Sequence, residues 1–151
     1  GKAKIGSIVG GNARDGGKLK QKFLTNVPAL ATLKDLIAKI AERHNSVPGL
    51  DGRRIRVRHA HAALNTLLQG AGALVMKKAL IIFQDLLDKE GLEVMFVANV
   101  HDEWQVECAA EVADRVGELG CAAIRLAGEA WNMRCPLAGE YHVGDSWTET
   151  H

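Results

Sequence analysis

The chain has 151 residues, of which 47% are apolar and 25% are charged, and this composition fits one soluble domain with a core of ordinary size. No uninterrupted apolar run approaches the roughly 18 residues of a membrane span, and the first residues lack the apolar stretch of a secretory signal, so we expect a cytoplasmic protein with no membrane partner. The net charge of +1 conceals an asymmetry, because residues 1–58 carry 13 Lys and Arg against 4 Asp and Glu, whereas residues 59–151 carry 6 against 14. A basic half favours contact with nucleic acid or a triphosphate, and an acidic half favours a bound metal or a solvated surface.

The basic half is predicted to form helices and one hairpin. Residues 1–17 are rich in glycine and weakly patterned, which predicts a loop with no more than one short helical turn. A short helix ending at Asn26 follows, and then a longer helix with Pro28 in its first turn, because apolar residues recur at helical spacing. The segment LDGRRIRVR joins an Asp-Gly turn to alternating apolar and basic residues, which predicts a hairpin with one basic, solvated face.

The acidic half is predicted to contain the longest helix, over about 59–89, and a second hairpin over 94–107. An Ala-rich helix over about 109–131 and a short extended segment over 135–144 complete the series. This order of helices, hairpins and a final strand predicts an α+β domain. The hairpin strand VMFVANV is apolar nearly throughout, as in a strand covered on both faces, and an isolated two-stranded hairpin is marginal in water. Part of a sheet is therefore expected to lie outside this chain.

His101, Asp102 and Glu103 fall where the second hairpin must turn. A charged turn is the simplest explanation, but the buried strand favours a functional one, because acids at the end of a rigid platform are held firmly while facing a cleft. Mg²⁺ takes oxygen ligands, usually one or two protein carboxylates together with substrate phosphates. Since successive strand residues point to opposite faces, we expect Asp102 rather than Glu103 to be the metal ligand. Two-metal chemistry would need a further carboxylate from elsewhere.

The long helix carries a row of polar residues, His61, Asn65 and Gln69, spaced four apart. Exposure to solvent explains a lone Gln, whereas three residues in line, followed by Gly70 and Gly72 that allow close approach, favour a contact surface. Neutral amides suit the minor groove of a duplex, where every base pair presents acceptors at similar places. Such a row can test the shape of a base pair without reading sequence.

The basic residues are explained equally well by a solvated face and by contact with phosphates. Those on the predicted hairpin favour phosphate contact, because strand alternation directs three arginines to one side. The whole set comprises Lys18, Lys20, Lys22, Lys34, Lys39, Arg53, Arg54, Arg56 and Arg58.

Thiols and imidazoles do not form a recognisable zinc motif. Cys108, Cys121 and Cys135 are odd in number and too widely spaced for a Cys-x-x-Cys site, so reduced thiols are predicted. The histidines offer only His59 and His61 at close spacing, and a structural zinc site is not expected.

Three motifs occur in a fixed order: HAALNTLLQGAGALVMKKAL, VANVHDEWQVEC and GEYHVGDSW. Together they resemble the C-terminal part of family A (DNA polymerase I type) DNA polymerases, especially those of short-tailed bacteriophages, and the resemblance covers nearly the whole chain. It implies the C-terminal part of a right-hand polymerase fold. Residues 1–58 would be distal fingers helices with the basic hairpin, and residues 59–151 would be a partial palm.

The resemblance also implies roles for the hairpin tip, which matches motif C of the family's palm. Asp102 would bind catalytic metal, His101 would lie by the primer terminus, and Glu103 would play a supporting part. The complete enzyme would use two Mg²⁺ ions to transfer a nucleotide from a deoxynucleoside triphosphate to the primer.

Asn65 and Gln69 match an Asn and a Gln that face the minor groove of the primer–template DNA in the family. Many members have Arg one turn before that Asn, where this chain has His61. The third groove contact therefore departs from the family's pattern.

Two further elements of the family do not occur in these residues: motif A with the other metal-binding Asp, and motif B with the triphosphate-binding residues. We therefore expect a fragment, inactive alone, that needs an upstream polymerase segment as its partner. It could be a piece cut for structural work or one product of a split gene. Two rivals are a non-catalytic DNA-binding or interaction module, against which the intact His-Asp-Glu argues, and a one-piece metal nuclease, against which the single carboxylate cluster argues.

Overall fold

The computed structural model of the chain describes residues 1–150. The described residues form six α-helices and two antiparallel sheets of two strands each, which confirms the α+β class. They divide into two compact units, Gly1–Leu68 and the residues from Gln69 onward. This division falls later than the expected boundary at residue 58, inside the long helix. The charge asymmetry is unaffected, since residues 59–68 contain no charged side chain.

The first unit begins with α1 (Lys2–Ile8) and α2 (Ala13–Asn26), so the predicted loop over residues 1–17 is wrong. Asn12 caps α2: its side-chain oxygen accepts hydrogen bonds from the backbone N–H groups of Arg14 and Asp15, at 2.8 and 3.3 Å. The Asp15 carboxylate accepts the N–H of Asn12 at 3.1 Å, which completes a capping box. This cap stabilises a helix start that the high glycine content conceals.

Two glycines in this region allow close contact between helices. A Cβ atom built on Gly16 would lie 2.0 Å from the carbonyl oxygen of Lys2, and one on Gly6 would lie 2.1 Å from that of Asn12. No side chain fits at such distances, so here glycine marks a backbone contact between α1 and α2. The sequence pattern was misread because glycine is common both in loops and at close helix contacts.

The rest of the first unit consists of α3 (Pro28–His44) and a hairpin of β1 (Ser46–Pro48) and β2 (Arg54–Arg56). Both the end of α2 and the start of α3 agree with prediction. Val47 pairs with Ile55, and Gly52 adopts a positive φ of 81° in the connecting turn. The core of this unit consists of Ile37, Ala41, Val47, Val57 and Ala63.

The second unit contains the hairpin of β3 (Val94–Val100) and β4 (Glu103–Cys108), followed by α5 (Ala113–Ala130) and α6 (Trp147–Thr150). Its first helix is the major part of α4 (Ala63–Glu90), which is the longest described helix, as predicted. The core comprises Phe83, Leu87, Val116, Leu119 and Ala123, from α4 and α5, with the inner side chains of the hairpin packed against them.

The face of β3 away from this core is exposed, so the prediction of a strand covered on both faces is wrong for the described residues. Met95 and Val97 are 65% and 62% exposed, while Val94 and Phe96 pack inward. The pairing with β4 also skips Val97, which forms a bulge. The described residues thus leave one apolar face of β3 uncovered, and the expectation of further strands outside this chain stays a prediction.

Residues 135–144, which we call the strap, do not form the predicted strand. They lie along α5, where a Cβ atom on Gly117 would be 2.2 Å from the Tyr141 ring and one on Gly128 would be 2.9 Å from Leu137. The Tyr141 hydroxyl donates to Asp114 at 3.4 Å. A helix face with small residues offers the strap close packing, and this replaces strand pairing.

One helical stretch, Ala60–Glu90, is long and apolar enough to cross a membrane by length and composition alone, with a mean hydropathy of 1.4 over 18 residues. This stretch is not an uninterrupted apolar run, and the expected lack of a membrane partner stays a prediction. Small and polar residues interrupt the apolar run without lowering its mean hydropathy much. The property is weak evidence for membrane insertion, since core helices of soluble proteins share it.

The three cysteines are free thiols, as predicted. Burial raises the pKa of the Cys108 thiol, and burial together with the nearby Glu140 raises that of Cys121. Cys135 is exposed. A raised pKa lowers the thiolate fraction, so Cys108 and Cys121 are suited to packing rather than to nucleophilic chemistry.

Gly16→Ala should destabilise the contact between α1 and α2, at a cost of about 1–3 kcal/mol, because the new methyl group overlaps the Lys2 carbonyl. Gly17→Ala is a matched control, since its Cβ would meet only the Lys2 side chain at 3.6 Å and alanine favours a helix. Thermal unfolding followed by far-ultraviolet circular dichroism is the measurement, because all three tryptophans lie outside the first unit. Equal behaviour of the two variants would contradict the contact.

Candidate functional site

The second hairpin turns through only two residues, His101 and Asp102, with Val100 paired opposite Glu103. His101 has a positive φ of 56°, which is uncommon for a residue with a side chain, although histidine tolerates it better than most. The left-handed conformation costs about 1–2 kcal/mol. Strain of this kind is found most often at functional sites, where the surrounding structure maintains it.

The two acids of the tip have different surroundings. Asp102 is exposed and has no hydrogen-bond or ion-pair partner among residues 1–150. Glu103 is partly buried, and its Oε1 accepts hydrogen bonds from the Gln105 amide and, at 3.2 Å, from the Trp147 indole N–H. That the two acids would not serve one metal ion equally stays a prediction.

The donors present suit a metal ion that takes only part of its coordination from this chain. Within the described residues, no three His, Cys, Asp or Glu side chains come together. Mg²⁺ is commonly bound by one or two carboxylates, with water and substrate phosphates completing its shell. An exposed carboxylate on a hairpin tip fits that pattern as one ligand, so the structure supports Asp102 as the stronger metal candidate.

Sequence reasoning missed three side chains around Glu103. Besides Gln105 and Trp147, the Thr150 hydroxyl donates to Gln105 Oε1 at 3.1 Å. Only Gln105 could have been suspected, because alternate strand residues share a face. No periodicity connects α6 to a hairpin more than 40 residues earlier.

The predicted amide row is exposed. Asn65 and Gln69 lie one turn apart in α4, while His61 belongs to the 3₁₀ turn Ala60–Ala62 that precedes it. Neither amide has a hydrogen-bond partner in the described part of the chain. His61 stacks on His59, with ring centroids 5.5 Å apart. The face is therefore available to a ligand, and its groove-binding role stays a prediction.

Arg54 and Arg56 are exposed on β2, and Arg58 is exposed in the bend that follows it, while Ile55 and Val57 pack in the core of the first unit. Arg54 donates to the Ser46 hydroxyl at 3.0 Å, which anchors its guanidinium to the neighbouring strand. Arg56 and Arg58 have no acidic partner within residues 1–150. Exposed arginines without an acidic partner are suited to phosphate contact.

The sequence pattern described as DNA polymerase family A matches residues 18–149. The chain belongs to this family. It is 40% identical to the DNA-directed DNA polymerases of Enterobacteria phage T3 and Escherichia phage T7, with all of this chain aligned to 24% of each relative. It is 31% identical to DNA polymerase I of Aquifex aeolicus, covering 97% of the chain and 26% of that protein. The family resemblance of the motifs is thus confirmed.

A solved structure supports the partial right-hand fold. The chain aligns with the POL domain of Pol1 from M. smegmatis, in complex with DNA primer-template and dNTP, with a TM-score of 0.70 and 17% identity. The match covers 83% of this chain and 24% of that one. This family A chain spans about a quarter of the length of the relatives it matches.

Asp102→Ala should leave the stability of the chain within about 0.5 kcal/mol, because the side chain is exposed and unpaired. Glu103→Ala should lower it by about 1–2 kcal/mol, because the Gln105 amide and the Trp147 indole lose their acceptor. Urea unfolding followed by tryptophan fluorescence distinguishes the two. A larger loss from Asp102→Ala would mean that its carboxylate has a structural role.

Proposed function

We propose that this chain contributes part of the active site of a DNA-directed DNA polymerase. The observation that carries the proposal is an exposed, unpaired carboxylate, Asp102, on the strained tip of a hairpin whose base packs on two helices, in a family A chain. The reaction is template-directed nucleotidyl transfer, in which the primer 3′-oxygen attacks the α-phosphate of a deoxynucleoside triphosphate and pyrophosphate leaves.

The residues of the tip have different roles in this proposal, because their surroundings differ. Asp102 would hold a Mg²⁺ ion as one of its ligands, and His101 would contact the primer terminus. Glu103, already held by hydrogen bonds, is an auxiliary acid that adds negative charge without giving up its protein contacts. Bound Mg²⁺, of which the complete enzyme uses two, supplies charge neutralisation at the phosphates.

The exposed amides of α4 check the primer–template duplex. Asn65 and Gln69 present neutral donors, which suit the N3 and O2 acceptors common to all base pairs in the minor groove. Arg54, Arg56 and Arg58 contact phosphates, where positive charge is needed and sequence is not read. These two sets therefore provide shape recognition and affinity respectively.

Activity requires more than this chain. The described residues place one exposed carboxylate at the tip, whereas two-metal transfer needs ligands for both ions, and a cation for the triphosphate is also needed. We propose that an upstream polymerase segment carrying motifs A and B supplies these groups. The relatives, about four times longer, have room for such a segment.

The chain alone should show no primer extension. Mixing it with a separately made upstream segment that carries motifs A and B should restore extension, and Asp102→Ala in the mixture should abolish it, whereas Glu103→Ala should be milder. Mg²⁺-dependent incorporation on a primer–template is the measurement. Robust extension by the chain alone would contradict the proposal, and DNA binding without extension by any mixture would favour a non-catalytic DNA-binding module.

The amide row and the arginines should affect DNA binding differently. Asn65→Ala or Gln69→Ala should weaken primer–template binding and mismatch discrimination without changing its salt dependence, because amides displace no counterions. Arg56→Ala or Arg58→Ala should each lower the slope of log K against log salt by about 0.9. Fluorescence anisotropy between 50 and 200 mM salt distinguishes them, and equal slopes in all four variants would refute the division.

A further inference from the structure

The helical turn α6 ends beside the acids of the hairpin tip. Trp147 donates its indole N–H to Glu103 Oε1 at 3.2 Å. The single proton of the Thr150 hydroxyl is within reach of two acceptors, Gln105 Oε1 at 3.1 Å and the Trp147 carbonyl oxygen at 3.3 Å. Gln105 in turn donates its amide to the same Glu103 oxygen. Two side chains of α6 therefore act on one carboxylate, one directly and one through Gln105.

The strap precedes α6 in the chain and packs on α5. Tyr141 and Leu137 lie on α5 where Gly117 and Gly128 leave room for them. After the strap, Glu149 accepts the backbone N–H of Asp145 at 2.7 Å, which closes the turn that begins α6. The strap is thus packed on α5, and α6, which follows it, contacts Glu103.

We infer that α6 is a positioning device for the carboxylates of the hairpin tip, an inference that rests on the proposed function. A glutamate side chain has three rotatable bonds, and the hydrogen bonds from Trp147 and Gln105 select one orientation of its carboxylate. Glu103 is also the first residue of β4, joined directly to Asp102. Trp147, Thr150 and Gln105 are therefore positioning residues that act through Glu103.

The conformation of the hairpin tip requires support, which α6 would provide. His101 has a positive φ, a conformation that the surrounding structure must maintain, and Asp102 has no side-chain partner in the described chain. Because a hydrogen bond holds the next residue, the freedom of the turn is reduced on the β4 side. Catalytic groups need this support, since small displacements of a metal ligand reduce rates strongly.

The contact can be tested in the 151-residue chain without any activity assay. In ¹H–¹⁵N spectra, the indole resonance of Trp147, identified by its loss in Trp147→Phe, should shift in Glu103→Gln, which removes the charge of its acceptor. The Trp131 indole is the control, because it is buried without an acceptor in residues 1–150. An unchanged Trp147 resonance would overturn the inference.

The consequence for catalysis is tested in the reconstituted polymerase. Trp147→Phe keeps the ring and removes the donor, and should lower kcat about 3- to 10-fold and raise the Mg²⁺ concentration for half-maximal rate, while the Kd for primer–template stays unchanged. Trp131→Phe is the matched control, since it removes an indole N–H that has no described acceptor. Thr150→Val should show a smaller defect than Trp147→Phe, and Thr150→Ser should restore the wild-type rate.

The possible outcomes distinguish a failure of this inference from a failure of the proposed function. An active wild-type mixture in which Trp147→Phe has the kcat and Mg²⁺ dependence of the wild type would overturn the positioning role alone. Inactivity of the wild-type mixture would contradict the proposed function, and the indole shift would then decide whether α6 holds Glu103. A fall in kcat accompanied by an equal fall in DNA affinity would indicate a general structural role and would also overturn the inference.

Discussion

The candidate site depends on the packing of one hairpin against two helices. A two-stranded hairpin is marginal in water by itself, and here Phe83 of α4 supports it by stacking on Trp104, 5.5 Å away, and by an edge contact with Phe96 at 5.6 Å. The indole N–H of Trp104 is buried without an acceptor in the described residues, which costs about 1–3 kcal/mol. Burial of an aromatic side chain contributes more, roughly 25 cal/mol per Å² over 150–250 Å². Packing therefore outweighs the unpaired group, and the tip receives a rigid base.

Glycine determines the other close contacts of the structure. Gly16 allows the α1–α2 contact, and Gly117 and Gly128 allow the strap to lie on α5. In each case the missing Cβ lets another group approach the glycine backbone. The group is a backbone carbonyl at Gly16 and a side chain at Gly117 and Gly128. Gly117 and Gly128 allow the strap to pack on α5, and the strap leads into α6, which contacts Glu103.

Charge is distributed unequally between the two units. The first unit carries 13 basic residues against 4 acids, and Arg54, Arg56 and Arg58 are exposed on and after β2. The second unit has the excess of acids, and its tip carboxylate stays unpaired in the described chain. Phosphates are attracted by positive charge and divalent cations by negative charge. The two units therefore offer charge of both signs.

The sequence by itself determined the elements that local periodicity encodes: α3, the long α4, both hairpins and α5, together with the family, which three ordered motifs identified. It also predicted that Asp102 lies in the turn of a hairpin, because the strands on both sides are recognisable from their own residues. Only the tertiary structure decided the rest. Glycines read as a loop proved to be helix contacts, a predicted strand proved to be a strap, and Trp147 proved to donate to Glu103 while Thr150 contacts Gln105. These features depend on contacts between distant residues, about which the spacing of neighbouring side chains carries no information.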